Sequence, residues 1–294
     1  MIKTEQPAAP ADVASHYDEL DYFYRDIWGE HVHHGLWLTG RESRAVAVRQ
    51  LVEAVAKAAE LQEGQSVCDI GCGYGATARL LAAEWKAKVT AITVSPAQHA
   101  FAASLADEKE NPKYILGDWL AQRLPDSSFD AAIAIESSEH MPDLRQFFLQ
   151  AARVLKDGGR LVVCAWLSRE DPQAWERKLL LEPICREGRM PCMGTESDYR
   201  ALAAETGFDC VRFQDVSREV SSTWPRIAWT FFGKLIGNPR YLRFLFNRHA
   251  RNRVFAFTIF RLWLAYRTGS MRDGIFTFLR APAKPLFDNA APAP

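Results

Sequence analysis

The stretch VCDIGCGYGATARLLAAEW, residues 67–85, decides the fold class. A short apolar run meets glycines at alternate positions, and an Ala/Leu/Arg pattern of helical spacing follows them. A strand, a glycine turn and a helix N-terminus form a common cradle for nucleotide-like cofactors, because the turn lets the backbone approach the ligand. The stretch therefore predicts a cofactor-binding α/β domain.

Strand and helix signals alternate beyond this stretch. Apolar runs predict strands, and apolar residues at helical spacing predict helices; the strands are 88–94, 113–118, 129–137, 160–166 and 210–217, and the helices are 96–110, 141–159 and 198–206. Such alternation is typical of a mostly parallel sheet covered by helices on both faces. We expect the last strand, 274–282, to return to the edge of that sheet.

The chain is predicted to form one domain between two disordered ends. Residues 1–13 and 289–294 are rich in Pro and Ala, a composition typical of disorder. The domain, 14–288, divides into an N-terminal helical cap (14–62), a cofactor-binding core (63–217), a helical lid or insertion (218–272) and a final edge strand with its tail (273–288).

Composition narrows the class of protein. Lys plus Arg and Asp plus Glu both number 36, so the whole chain offers no electrostatic case for nucleic acid. Its six cysteines form no C-x-x-C pair, which argues against a disulfide scaffold and a zinc site. The N-terminus lacks an apolar signal core, and no apolar run reaches the roughly 18 residues of a membrane span. These features predict a reduced, cytoplasmic protein.

The glycine turn departs from the pattern of dinucleotide-binding proteins. Its spacing is G-x-G-x-G, and the second strand ends without the carboxylate that binds ribose in NAD enzymes. Asp69 precedes the turn, where it would repel a pyrophosphate and suit a cationic amine. S-adenosylmethionine carries an α-amino group and a sulfonium and has no phosphate. An NAD-dependent oxidoreductase is a remote alternative, as is a glycine turn that only reverses the chain.

A series of motifs along the chain resembles a known family. DIGCGYG, AITVSPAQ, GDW, LPDSSFDAAIAIESSEHMPD and ARVLKDGGRLVV occur in order. The series resembles the class I S-adenosylmethionine-dependent methyltransferases, which implies a Rossmann-like, seven-stranded sheet. Residues 24–37 and 266–278 resemble the γ-tocopherol methyltransferase-like group, which is related to sterol methyltransferases and cyclopropane fatty acid synthases.

The resemblance implies a set of cofactor-binding residues. The glycines would let the backbone approach S-adenosylmethionine, Asp69 would serve its amino-acid end, and residues after the next strands would flank the ribose and the adenine. The implied set is Asp69, Gly71, Gly73, Gly75, Thr93, Val94, Gln98, Asp118, Trp119 and Ile135. Gln98 can hydrogen-bond ribose hydroxyls as a carboxylate can, which accounts for the missing acid.

Candidate catalytic residues follow the strand at 129–137. Glu136, Glu139 and His140 lie at the carboxyl edge of the sheet, where ligands bind in doubly wound folds. For a phenol or hydroquinone acceptor, His140 is the expected base, with Glu139 orienting it or binding the acceptor. An amine acceptor would need positioning alone, and a helix cap is the structural alternative.

The motif HVHH at 31–34 and the strand ending in Trp166 bear on the active site. The resemblance gives the histidines the role of a cap over the site; a metal site and a solvated histidine run are the alternatives, and we predict no metal. The strand at 160–166 lacks the histidine that helps to hold bicarbonate in cyclopropane synthases. Cyclopropane-synthase-like lipid modification is therefore a secondary alternative.

The segment 218–272 is basic and aromatic, with eleven Arg or Lys against the single acid Glu219. It is interpreted as a lid over an apolar acceptor, as a surface that contacts anionic membrane through 223–268, or as a packed helical subdomain; nucleic-acid binding is a weak fourth interpretation.

From these features together, we expect an S-adenosylmethionine-dependent methyltransferase that acts on a small hydrophobic or aromatic acceptor. The alternative class is a protein that binds the cofactor without catalysis.

Overall fold

Seven strands form one sheet in the computed structural model, which describes residues 1–4, 8–106, 111–247, 252 and 255–282. The strands of the molecule are β1 (Ile2–Lys3), β2 (Ser66–Ile70), β3 (Lys88–Thr93), β4 (Lys113–Leu116), β5 (Phe129–Ile135), β6 (Leu155–Ser168), β7 (Cys192–Met193), β8 (Phe208–Asp215) and β9 (Met271–Arg280). The sheet order is β4-β3-β2-β5-β6-β9-β8. The first four pairs are parallel, and β9 runs antiparallel to both of its neighbours. The predicted α/β fold with a mostly parallel, seven-stranded sheet is confirmed.

The prediction that the last strand lies at the sheet edge is wrong. β9 is inserted between β6 and β8, and β8 forms the edge. The sequence of β9 explains its position, since Ile275, Phe276, Thr277 and Phe278 are all buried. A near-continuous run of buried residues is typical of a strand covered on both faces. Of the tail predicted after this strand, 283–288 lie outside the described residues.

Helices cover both faces of the sheet. They are α1 (Pro10–Ile27), α2 (Arg44–Ala58), α3 (Ala76–Glu84), α4 (Pro96–Ser104), α5 (Leu144–Val154), α6 (Ala174–Glu176), α7 (Glu182–Glu187), α8 (Glu196–Glu205), α9 (Ser217–Ser221), α10 (Thr223–Gly237), α11 (Pro239–Phe246) and α12 (Phe255–Thr268). One apolar cluster joins the sheet to α5 and α8, and another joins it to α2, α3 and α9. The helix predicted at 96–110 ends at Ser104, and its residues 107–110 fall outside the described part of the chain.

The N-terminal segment is more ordered than its composition predicts. Ile2 is buried and pairs with Met193 in a small antiparallel sheet of β1 and β7, and α1 begins at Pro10. Disorder over 1–13 is therefore wrong for 1–4 and 8–13, while 5–7 and 289–294 are outside the described residues. A Pro/Ala-rich composition cannot reveal such pairing, because the partner strand lies about 190 residues away.

A third apolar cluster joins α1 to the helices of the 218–272 segment. Leu20, Tyr24 and Ile27 of α1 pack with Trp224 of α10 and Leu262 of α12. The predicted cap and lid thus share one core. No helix in the described ranges is long and apolar enough to cross a membrane.

Candidate active site

The glycine turn is held in a backbone conformation that only glycine adopts readily. Gly71 and Gly75 have φ of +79° and +75°. A Cβ on Gly71 would lie 2.4 Å from the Ser137 Cβ, and one on Gly75 would lie 2.5 Å from a carbon of the Tyr114 ring. Gly71 therefore lets the end of β2 approach the loop after β5, whereas Gly75 serves packing at the start of α3.

A cavity of about 720 Å³, here called the turn cavity, opens beside this turn at the carboxyl ends of the parallel strands. Its volume is in the range of ligand sites. The residues of the predicted cofactor set that line it are Gly71, Gly73, Thr93, Val94, Gln98, Asp118, Trp119 and Ile135. Asp69 and Gly75 are not among the lining residues. The structure thus brings together most of a set that is spread over about 65 residues of sequence.

Local hydrogen bonds fix the side chains after β3 and β4. Thr93 Oγ1 donates to Gln98 Oε1 at 2.8 Å, which orients the amide. Asp118 Oδ1 accepts from the Leu120 backbone N–H at 3.0 Å and caps a short turn. Trp119 is buried, and its Nε1 donates to the Phe147 carbonyl at 3.4 Å. Trp119 therefore borders the turn cavity while most of its ring is packed in the core.

Asp69 is a buried carboxylate in β2, two residues before Gly71. Its Oδ2 has no hydrogen-bond partner among the described residues. Burial raises the pKa of Asp69 to about 7, because the charged form loses its hydration. An unpaired carboxylate next to a ligand cavity fits a cationic amine, since the amine would restore the ionised form and supply the missing donor.

A second cavity of about 610 Å³, here called the aromatic cavity, adjoins the turn cavity. Its aromatic walls come from Tyr17, Tyr24, Trp28, Trp166 and Trp224, and its polar lining includes His33, His34, Glu136, Glu139 and His140. Tyr17, Val32, Glu136 and His140 line both cavities. The two chambers therefore meet at two of the three predicted catalytic residues, Glu136 and His140, whereas Glu139 lines the aromatic cavity alone.

His140 is held between two hydrogen-bond partners. Its Nδ1 lies 3.3 Å from the Arg189 carbonyl, which can only accept, so Nδ1 carries the proton. Its Nε2 then accepts from the Tyr17 hydroxyl at 3.0 Å. Burial lowers the pKa of His140 below its ordinary value, so the imidazole is neutral at pH 7. The hydroxyl of Tyr17, a residue that lines both cavities, therefore donates its hydrogen bond to the lone pair of His140 Nε2.

Glu136 is held in a buried ion pair. Its Oε1 accepts from the His34 backbone N–H at 3.0 Å and from His34 Nδ1 at 2.9 Å, and its Oε2 accepts from Trp166 Nε1 at 2.8 Å. Burial opposes its ionisation, but the charge and hydrogen bonds of His34 hold the pKa of Glu136 below its usual value. Conversely, although burial opposes the imidazolium, the carboxylates of Glu136 and Asp273 raise the pKa of His34 to about 10. Glu136 therefore positions the active-site loops.

Glu139 has a different environment from Glu136. Its Oε1 accepts from the Trp166 backbone N–H at 2.5 Å, and its Oε2 accepts from Ser138 Oγ at 3.2 Å. Burial, reinforced by the nearby carboxylates of Glu136 and Asp273, raises the pKa of Glu139 to about 8. At neutral pH Glu139 is therefore a neutral acid that lines the aromatic cavity.

The histidine run is buried rather than solvated. His33 and His34 are both buried, and His33 Nδ1 donates to the His34 carbonyl at 2.8 Å. Donor atoms of His34, Glu136 and Asp273 lie within 4.8 Å of one another, a set that could hold a metal ion. This set could not be predicted from the sequence, because its members are far apart in the chain. His34 Nδ1 contacts the carboxylates of both Glu136 and Asp273, so the three side chains form a buried, ion-paired cluster.

Tyr17, Trp28, Trp224 and Asp273 are site residues that the sequence analysis missed. A signal was present for the first two, since Tyr17 and Tyr24 of α1 and Trp28, the residue directly after that helix, recur at helical spacing. Asp273 lies within the stretch 266–278 and His34 lies within 24–37. Their contact joins the two stretches on which the narrower resemblance rests.

The chain is similar to known methyltransferases. A methyltransferase domain family matches residues 68–163. The chain is 34% identical to a protein described as "probable tocopherol O-methyltransferase, chloroplastic" of Oryza sativa, over 75% of this chain and 66% of that relative. It is 29% identical to a 2-methyl-6-phytyl-1,4-hydroquinone methyltransferase of Synechocystis, over 92% of this chain and 88% of the relative.

Solved structures share the fold. A cyclopropane synthase of Mycobacterium tuberculosis superposes with a TM-score of 0.79 at 19% identity, covering 94% of this chain and all of that chain. Its N-terminal and lid regions are therefore included in the likeness. With S-adenosyl-L-methionine as its cofactor, the chain belongs to the class I S-adenosylmethionine-dependent methyltransferases, in the group of the tocopherol methyltransferases.

Proposed function

We propose that this methyltransferase acts on the ring hydroxyl or the ring carbon of a hydrophobic phenol or hydroquinone, with the cofactor in the turn cavity and the acceptor in the aromatic cavity. The observation that carries the proposal is the meeting of the two cavities at Tyr17, Val32, Glu136 and His140. A methyl donor in one chamber and an acceptor in the other would come together beside the neutral His140.

The residues of the turn cavity fit S-adenosylmethionine. Gly71 and Gly73 would lie along its backbone, and Gln98 would bind its ribose. Asp69 does not line the cavity, but it lies two residues before Gly71, and its unpaired carboxylate would attract the amino group. When bound, the cofactor supplies an electrophilic methyl group on sulfur. The protein then has to align the acceptor in line with that methyl group and to exclude water. The aromatic walls of the second cavity suit both tasks.

His140 and Tyr17 would remove the proton that the acceptor loses. An acceptor hydroxyl gives its proton to the Tyr17 oxygen while Tyr17 passes its own proton to His140 Nε2. Loss of this proton would raise the electron density of the ring, so that its oxygen or carbon could take the methyl group while the methyl–sulfur bond breaks and S-adenosylhomocysteine leaves. After attack by carbon, the ring C–H proton would be lost in turn to restore the aromatic ring. Burial raises the pKa of Tyr17 above its ordinary value, so the tyrosine stays protonated and relays the proton.

The aromatic cavity and the relatives support a hydrophobic ring as acceptor. Tyr24, Trp28 and Trp224 offer faces and edges for ring contacts. The relative in Synechocystis is named for a phytyl hydroquinone and the rice relative for tocopherol. Glu139, protonated at neutral pH, would donate a hydrogen bond to an acceptor oxygen.

Kinetics of His140→Ala test the proposal, with His99→Ala as the control. A general base contributes about 10²–10⁴-fold, so turnover of a methyl-phytyl hydroquinone should fall by that factor. S-Adenosylhomocysteine affinity, measured by calorimetry, should stay within a few-fold of wild type. The half-buried His99 lines neither cavity, and its replacement should leave turnover unchanged. Full activity of His140→Ala with an unchanged pH profile would exclude the base assignment.

The setting of the reaction is also part of the proposal. We propose small-molecule secondary metabolism in the cytoplasm, whereas the rice relative is described as chloroplastic. Fractionation of source cells, followed by detection of the chain with an antibody, tests the compartment. Recovery in an organelle fraction would contradict it.

A further inference from the structure

Helix α10 is apolar on two opposite faces. Its inner face packs Trp224, Ile227 and Phe231 against the helices below. Its outer face exposes Trp229, Phe232 and Ile236, by 82%, 61% and 92%. These three residues lie at positions i, i+3 and i+7, so they form one stripe along the helix. A helix that is apolar all round is normally buried or in contact with lipid.

The next helix extends this exposed stripe. α11 exposes Leu242 by 45% and Phe246 by 80%, while its Tyr241 is buried against α10. We call the residues Trp229, Phe232, Ile236, Leu242 and Phe246 the apolar ridge. Five large, exposed apolar side chains on two helices that pack together indicate an interaction site, because single scattered residues are the norm on soluble surfaces.

The two helices that carry the apolar ridge have basic residues and no acidic ones, and of the basic residues Lys234 is paired with Asp26 of α1. Arg240 and Arg243 are exposed on α11, and within the described part of the chain neither forms an ion pair with a carboxylate. Arg240 instead stacks over the Tyr22 ring at 4.4 Å. The only acid in 218–272 is Glu219. Large apolar side chains beside unpaired arginines match the interface of an anionic bilayer, whose headgroups attract the cations while its acyl region takes up the aromatic rings.

The inner side of the same helices borders an apolar chamber. A cavity of about 400 Å³, here called the lid cavity, is lined by Phe231, Phe244 and Ile259 from above and by α1 from below. It shares Tyr24 and Trp28 with the aromatic cavity. Helices α10 and α11 therefore separate the apolar ridge from a chamber that adjoins the candidate acceptor site.

We propose that the apolar ridge docks the protein on an anionic membrane, and that the hydrophobic part of the acceptor enters from the bilayer into the lid cavity. The second half of this inference rests on the proposed function, whereas the docking itself does not. A hydrophobic acceptor is dissolved in the membrane and not in water. Docking places the lid cavity, and through it the aromatic cavity, next to that reservoir.

Vesicle flotation of the full chain, without acceptor, tests the docking. Vesicles of phosphatidylcholine alone are compared with vesicles in which part of the lipid is phosphatidylglycerol. We expect binding to the anionic vesicles that weakens as salt is raised. Each of the two substitutions R240Q and R243Q should lower the vesicle partition coefficient by about fivefold. Trp229→Ser with Ile236→Ser should lower it by about tenfold or more.

A matched control uses exposed apolar residues elsewhere. Trp175 and Val211 are 44% and 51% exposed on other elements, so Trp175→Ser with Val211→Ser should bind vesicles as wild type does. No binding at low salt would overturn the proposal, as would equal losses in the control and the ridge variants. A dimer seen by light scattering that dissociates in the ridge variant would also overturn it, since the occupant would be a second copy.

The test is independent of the catalytic proposal. The residues of the apolar ridge line none of the three cavities. The ridge variants should therefore methylate a detergent-dispersed acceptor at the wild-type rate and lose activity only on acceptor embedded in anionic vesicles. Loss of vesicle binding with normal activity in detergent isolates the docking, whereas loss of activity in His140→Ala concerns the chemistry alone.

Discussion

Replacing Glu136 by glutamine would separate a structural role from a catalytic one in the active site. The carboxylate accepts three hydrogen bonds, two from His34 and one from Trp166, at 2.8–3.0 Å. In Glu136→Gln the amide keeps one acceptor oxygen, but its NH₂ group faces a donor, and the His34 imidazolium keeps only Asp273 at 3.4 Å. The backbone of residue 136 has φ of +51° in both proteins, so the comparison reports the contacts and not the strain.

The expected loss follows from the burial of the pair. Hydrogen bonds to a charged group contribute about 1.5–3 kcal/mol each, but they are not additive when His34 retains a second carboxylate. Removing one partner of a buried ion pair costs about 3–5 kcal/mol, which is the expected decrease in the free energy of unfolding. Urea unfolding at pH 7 measures it. The control is Glu205→Gln, because Glu205 is exposed and its ion pair with Arg145 spans 3.8 Å, so its loss should be below about 1 kcal/mol.

The pH dependence provides a second check. The folded-state pKa of His34 lies near 10, above its ordinary value of 6.5. Its contribution to stability is therefore fully present below pH 6.5 and is lost as the pH rises through about 10. The difference between wild type and Glu136→Gln should narrow over that range. A variant that is as stable as wild type but a hundredfold less active would refute this reasoning and make Glu136 a residue that acts on the substrate.

Three further predictions concern the cavities and the turn. S-Adenosylhomocysteine affinity should fall by up to tenfold per pH unit below pH 7, because binding must ionise Asp69, whose pKa is about 7. Calorimetry on Asp69→Asn should show affinity weaker by about 1.5–3 kcal/mol without that slope, while methylthioadenosine, which lacks the amino group, binds both proteins alike. Glu139→Gln should be as active as wild type at pH 7, where the wild-type acid is protonated. Any change that wild-type turnover shows near pH 8 should be absent from the variant, and a tenfold drop at pH 7 would count against this assignment. Gly75→Ala should lower the thermal stability by more than Gly40→Ala. The two glycines have similar φ, +75° and +76°, but only a Cβ at Gly75 would meet a side chain, that of Tyr114. Equal losses would show that the Tyr114 ring moves aside.

Local patterns determined the α/β class and the turn. Strand and helix periodicity, the glycine spacing and the position of Asp69 are properties of neighbouring residues, so the sequence alone predicted them. The resemblance to a known family also implied that Gly71, Thr93, Asp118 and Ile135 belong to one cofactor set. The fold brings them together because parallel strands carry their loops at one edge of a sheet. The apolar sequence of β9 is typical of an inner strand. It does not show, however, which strands pair with β9 on its two sides.

Only the tertiary structure decided what the charged side chains do. Glu136 and Glu139 are three residues apart and look alike in sequence, yet one is held ionised by His34 and the other is kept neutral by burial. His34 comes from 102 residues upstream of Glu136, and Tyr17 from 123 residues upstream of His140. A pKa depends on the distance to other charges and on hydration, and a hydrogen bond on the positions of two atoms. Neither quantity exists until the chain has folded.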